Sequence, residues 1–199
     1  MSKTLRDLSG LADSPTSLHD SALIMIDLQN TYRHGTMALV GVEAALEEAR
    51  TLLGRAREAG TPIFHIMHDG GTGSPYDITT ELGAIADPVK PLEGETVIVK
   101  KYPNSFVGTD LAAKLHEHGI ENLILAGFMT HMCINSTARG AFNLGFRATV
   151  VDAATATRDL PAVDGSTIPA AALHAASLVA LRDLFAVVVP RAADIPATA

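Results

Sequence analysis

The stretch Leu123-Ile-Leu-Ala-Gly-Phe-Met-Thr-His-Met-Cys133 decides the fold. Four apolar residues read as a buried strand, and a turn bearing glycine and threonine follows them. The chain then continues as Ile134-Asn-Ser-Thr-Ala-Arg-Gly-Ala-Phe-Asn-Leu-Gly145, which carries a helical pattern. The only cysteine of the chain thus lies where a strand turns into a helix. First-turn N–H groups and the positive end of the helix dipole predict a stabilised thiolate, hence a depressed pKa, at Cys133. On composition alone a single thiol is more often an inert buried residue. Its position argues the other way, because α/β enzymes mount nucleophiles on turns of this kind.

The alternation extends in both directions. Ala22–Ile26 reads as a first buried strand and Val42–Arg57 as an amphipathic helix stopped by Gly60. Pro62–Met67, Thr96–Val99, Ala148–Val151 and Ala186–Val189 read as further strands. Helices are expected over Asp110–His118 and Pro169–Leu181, the second with proline at a first-turn position where its missing N–H costs nothing. Strands apolar on both faces, alternating with helices, predict an α/β fold with a parallel sheet covered on both sides and right-handed crossovers. Residues 69–95 form a long segment rich in glycine and proline. It leaves the C-terminal end of the second strand, the edge where open parallel sheets bind ligands, so it reads as a wall or lid of a pocket.

Composition narrows the function. The 199 residues fit one domain, 1–199, with residues 1–20 as an N-terminal extension. The net charge is −7, no basic run exceeds Lys100-Lys101, and tryptophan is absent, so nucleic acid is an unsuitable partner. A single cysteine fits a reducing compartment. No signal-peptide pattern or membrane-length apolar run is present, and a cytoplasmic protein without a membrane partner is the expectation.

Three groups able to do chemistry fall at strand ends on one sheet edge. Asp27 follows the first strand, Lys100 or Lys101 closes the third, and Cys133 follows the fourth. Side chains alternate along a strand, so only one lysine can point into any one site. His131, two residues before Cys133, could pair with it as a base, but a ring so close in a tight turn rarely aims at that sulfur, and it reads as pocket wall. His65 and His68 are three apart on an extended segment and should face opposite ways, so neither a metal nor any other cofactor is expected.

This constellation resembles the isochorismatase-like cysteine hydrolases, a superfamily that includes nicotinamidases, carbamoyl-amide hydrolases and streptothricin hydrolase. The similarity runs from Ala22 to Val189. Its family aspartate matches Asp27, with Gln29 two positions on; its Lys-x-x-x-x-Ser-Phe pattern matches Lys100 to Phe106 and selects Lys100 over Lys101. Its Gly-x-x-Thr-x-x-Cys turn matches Gly127 to Cys133, followed by Ser136-Thr-Ala-Arg139. The resemblance implies a three-layer α/β/α fold with six parallel strands in the order 3-2-1-4-5-6. Asp27 and Cys133 would then be neighbours, and Lys100 would start about 10 Å away, across two strand spacings.

The implied activity is hydrolysis of an amide or related C–N bond of a small-molecule substrate. Asp27 would act as base then acid, Lys100 as counter-charge and Cys133 as nucleophile. Backbone N–H groups of Met129 and Cys133 would form the oxyanion hole, with a cis peptide at Phe128–Met129. Gln29, Tyr32, Phe106, Phe128 and His131 are the expected substrate-binding residues. Alternatives are vinyl-ether hydrolysis of the isochorismatase type and a non-catalytic binding protein of the same fold. The apolar helix around Ala170–Ala180, and the habit of relatives, imply a homo-oligomer, a dimer or a tetramer.

Overall fold

The computed structural model describes residues 3–198. Eight strands run in chain order: β1 Ala22–Ile26, β2 Ile63–His68, β3 Thr96–Lys100, β4 Asn122–Phe128, β5 Arg147–Ala156, β6 Leu160–Pro161, β7 Thr167–Ile168 and β8 Ala186–Val189. Five helices accompany them: α1 Leu5–Ser9, α2 Val42–Glu58, α3 Leu111–Glu117, α4 Asn135–Asn143 and α5 Ala170–Arg182. Six strands form one all-parallel sheet in the order β3-β2-β1-β4-β5-β8. Since β8 is the sixth strand of that sheet, this is the expected order.

The covering layers follow from the sequence pattern. In α2 the buried residues are Val42, Ala45, Leu46, Ala49, Leu52, Leu53 and Ala56, a stripe at helical spacing that lies on one sheet face. Leu111 and Leu115 of α3, Ala138 and Ala141 of α4, and Leu178 and Leu181 of α5 cover the other face. Between them β1 and β4 are buried along their whole lengths. Truncating one of their core residues, such as Leu125→Ala, should cost about 2–5 kcal/mol.

Three elements escaped the sequence reading. β5 runs on to Ala156, past the polar Asp152 that masks its continuation. β6 and β7 form a two-residue antiparallel hairpin, too short to leave a periodic signal. Within the N-terminal extension, α1 buries no residue, and it is held by the bond from Arg6 N–H to the Asp183 carbonyl at 2.8 Å. Among the described residues, no helix is long and apolar enough to cross a membrane.

Candidate active site

The switch point of the sheet, where β1 meets β4, brings the site together. Chain direction there is forced by close backbone approach. Gly127 has φ +129°, and a Cβ on it would lie 1.9 Å from the Ile26 carbonyl oxygen, so only glycine lets β4 run beside β1 to this depth. Asp27 follows directly after Ile26 with φ 50°, the only non-glycine residue at positive φ among those described. Such a conformation costs about 1–3 kcal/mol and persists where the surroundings enforce it. Here the Asp27 N–H donates to the Ile66 carbonyl at 2.9 Å, fixing the turn against β2.

Lys100 ends β3 opposite His68 of β2 and is 1% exposed. Its long stem closes the gap across the sheet. Nζ lies 2.7 Å from Asp27 Oδ2 and donates to Cys133 Sγ at 3.4 Å. Both carboxylate oxygens are fully buried, and the Lys100 ammonium is the counter-charge they have. Lys101 is exposed to solvent, as alternation requires. Cys133, 5% exposed, sits in a single π-type turn, Thr130–Ile134, that joins β4 to α4. The Phe128–Met129 peptide before that turn is cis.

The electrostatics correct one expectation. Burial and the Asp27 charge push the Cys133 thiol up to about 12, and the nearby Lys100 ammonium only partly offsets them. The thiol is thus not a resting thiolate, because desolvation outweighs the helix start. Burial also raises the Asp27 carboxyl, against the pull of Lys100. A raised carboxyl is a stronger base than an ordinary one, which is what a thiol donor requires.

The expected substrate-binding residues divide. Tyr32, 1% exposed, packs edge-on against Tyr76 with ring centroids 5.7 Å apart, and His131, within the turn, has Nδ1 2.5 Å from Thr157 Oγ1. Phe128, 1% exposed, packs its ring under Tyr32 in the core. Gln29 is unavailable to a ligand. Its amide donates to the His68 and Gly83 carbonyls and accepts from the His68 N–H, stapling the 69–95 segment to β1. Phe106 stacks on Phe146, the residue leading into the far end of β5, and so belongs to helix–sheet packing. In both cases the side chain serves the scaffold.

Three further residues stand near the cluster, and no local sequence pattern assigned Tyr76, His68 or Arg158 a role in catalysis or substrate binding. Tyr76 brings the 69–95 segment into the site as a wall, with its ring 5.1 Å from that of His68. His68 Nδ1 is buried and unpartnered, and burial together with Lys100 holds the imidazole below its usual pKa. It does face away from His65, whose Nε2 is 2.7 Å from Glu95 Oε2. Arg158 stands two residues past Ala156, the partner of Phe128 in the sheet, and its Nε is buried without a partner among the described residues. Its charge acts on both His131 and Tyr76.

An aspartate, a lysine and a cysteine from three strand ends of one sheet edge are thus gathered in a buried cluster. The family model described as the isochorismatase domain matches residues 21–193. The chain belongs to the isochorismatase family of hydrolases. An isochorismatase-family protein of Bacillus subtilis is 42% identical over 84% of this chain and 94% of its own length. A streptothricin hydrolase of Streptomyces noursei is 36% identical over 88% of this chain and 64% of its own. The crystal structure of an isochorismatase from Pseudomonas putida superposes with a TM-score of 0.94 at 39% identity, covering 98% of this chain and all of that one. Several relatives in the family are named amidohydrolases.

Proposed function

We propose that this isochorismatase-family protein cleaves a C–N bond of a small amide through a thioester on Cys133, with Asp27 and Lys100 as its partners. The observation that carries the reading is one ammonium in contact with both a carboxylate and a thiol, at 2.7 and 3.4 Å, where neither acid is solvated.

Loss of the thiol proton to water would leave a buried anion beside a second one, and burial first, then the Asp27 charge, pushes the thiol up to about 12. Transfer to Asp27 is different, since it moves a proton within the cluster and leaves its net charge unchanged. The proton passes to the carboxylate as sulfur attacks the carbonyl carbon, while Lys100 follows the negative charge from oxygen to sulfur. The N–H groups of Met129 and Cys133 receive the developing oxyanion. Collapse breaks the C–N bond, and Asp27 returns its proton to the leaving amine. Water, deprotonated by Asp27, then attacks the thioester, releases the acid and restores the thiol.

Arg158 supports a narrower substrate class. A guanidinium with a buried, unpartnered Nε, whose charge acts on His131 and Tyr76, suits a substrate that carries a carboxylate some distance from its amide. A second copy of the chain on the outer face of α5, where Val179 is 68% exposed, is the assembly we expect.

Ammonia or amine release from paired amides, lactams and carbamoyl compounds, each with and without a carboxylate, tests the reading. Turnover of a carboxylated amide is expected, abolished in Cys133→Ala and with raised KM in Arg158→Gln. Activity confined to vinyl ethers, and retained in Cys133→Ala, would overturn it.

A further inference from the structure

Behind the turn that carries Cys133 runs a second chain of polar groups that the reaction does not use. Thr130 Oγ1 lies 2.9 Å from His174 Nδ1, and His174 Nε2 lies 2.7 Å from Asp152 Oδ1. The three residues come from the π-type turn, from α5 and from β5. Asp152 reaches the helix because β5 bulges. Between the pairs Leu125↔Val150 and Gly127↔Thr155, a step of two residues on β4 is matched by a step of five on β5. Bulges of this kind re-aim side chains beside active sites.

The proton directions follow from the donors present. An ionised carboxylate only accepts, so His174 Nε2 carries the proton and donates to Asp152. In the neutral imidazole Nδ1 is then bare and accepts, which makes the Thr130 hydroxyl the donor. Carboxylate, imidazole and hydroxyl in this order activate serine nucleophiles in other folds. That role is closed to Thr130, which is 0% exposed and offers no face to a substrate. What the chain can do is hold. Thr130 stands between Met129 and Cys133, and the Met129 carbonyl is itself bound by the Met132 and Ile134 N–H groups at 3.0 and 3.3 Å. Anchoring Thr130 therefore fixes the whole turn.

We propose that His174, its tautomer set by Asp152, is a positioning residue that holds the oxyanion-binding turn in place through Thr130. The proposal rests on the thiol-hydrolase reading above for its effect on rate, and on geometry alone for its proton arrangement.

Two measurements test it separately. In steady-state kinetics with an amide found by the substrate panel, His174→Ala and Thr130→Val should each lower kcat about 10–100-fold, the scale of losing an outer hydrogen-bond partner of a catalytic group. KM and the alkylation rate of Cys133 should stay near wild type, because the Asp27–Lys100–Cys133 contacts are untouched. His174→Asn, whose amide oxygen can replace Nδ1 as acceptor, should recover most of kcat. A His174→Ala rate within about twofold of wild type, or a parallel loss of thiol reactivity that marks general loosening, would overturn the role. Imidazole nitrogen NMR of the wild-type protein, with His174 assigned by difference from His174→Asn, reads the tautomer without any substrate. A protonated Nε2 that is lost in Asp152→Ala supports the proposal, and a protonated Nδ1 overturns it. If no amide is turned over, the hydrolase reading fails while the NMR result still decides the anchor.

Discussion

β3 begins beside a partly buried acid–base cluster and ends in a fully buried one, and the two are opposites. At its start, Glu95 accepts from Arg57 Nε at 2.7 Å, from the Leu92 N–H at 2.9 Å and lies 2.7 Å from His65 Nε2. Burial would raise its pKa, but these partners bring it down to about 2. At its end, Lys100 meets a fully buried Asp27 at 2.7 Å, and there burial outweighs the pull of Lys100 and Cys133. A satisfied carboxylate is a poor base and a good structural tie. A fully buried one whose partners do not offset its desolvation is held ready for a proton, at a cost to the fold that the surrounding β1 and β4 packing offsets.

Breaking the Asp27 end should cost activity far more than stability. Cys133→Ala should remove at least about 10⁴-fold of turnover, since nothing else in the site can form the thioester. Asp27→Asn should lower kcat about 10²–10⁴-fold. It should also lower the apparent pKa of Cys133 in alkylation experiments, because the Asp27 charge is one of the groups raising it. Lys100→Ala should cut the rate on a similar scale and move the thiol pKa further up, while Lys101→Ala leaves both near wild type. A crippling Lys101→Ala would mean that the wrong lysine has been placed in the cluster.

Breaking the Glu95 end should do the reverse. Glu95→Gln is expected to cost about 1–3 kcal/mol, seen as a fall in Tm of about 2–10 °C, with kcat nearly unchanged. The depressed pKa of Glu95 also gives a pH signature. Its contribution is fully present above the ordinary carboxyl pKa of about 4.5 and is lost as pH falls toward about 2. Wild type should therefore lose stability across that window more steeply than Glu95→Gln in acid denaturation. Equal slopes would show that this cluster is not the tie its hydrogen bonds suggest.

The contrast also explains what could be read from the sequence. Backbone placement was legible: apolar runs set β1 to β5 and β8, and Asp27, Lys100 and Cys133 followed from where those runs stop. The choice of Lys100 over Lys101 rested on one spacing, to Phe106, whose own ring then proved to pack on Phe146. Side-chain destinations were not legible, because they depend on partners distant in sequence. Gln29 meets Gly83, Tyr32 meets Tyr76, and Thr130 meets His174, and no local pattern records such pairs. The thiol pKa was misjudged for the same reason. The helix start is visible locally, whereas the burial and the Asp27 charge that overrule it come from the fold.

The thioester on Cys133 is the central claim, and trapping it is the most direct test. Wild-type protein would be quenched in acid during turnover of the amide identified by amine release, then weighed intact and after digestion. The account predicts a transient gain equal to the acyl part of the substrate, localised to the Cys133 peptide and absent from Cys133→Ala. Single-turnover hydrolysis that runs to completion with Cys133 unmodified at every time point would contradict it.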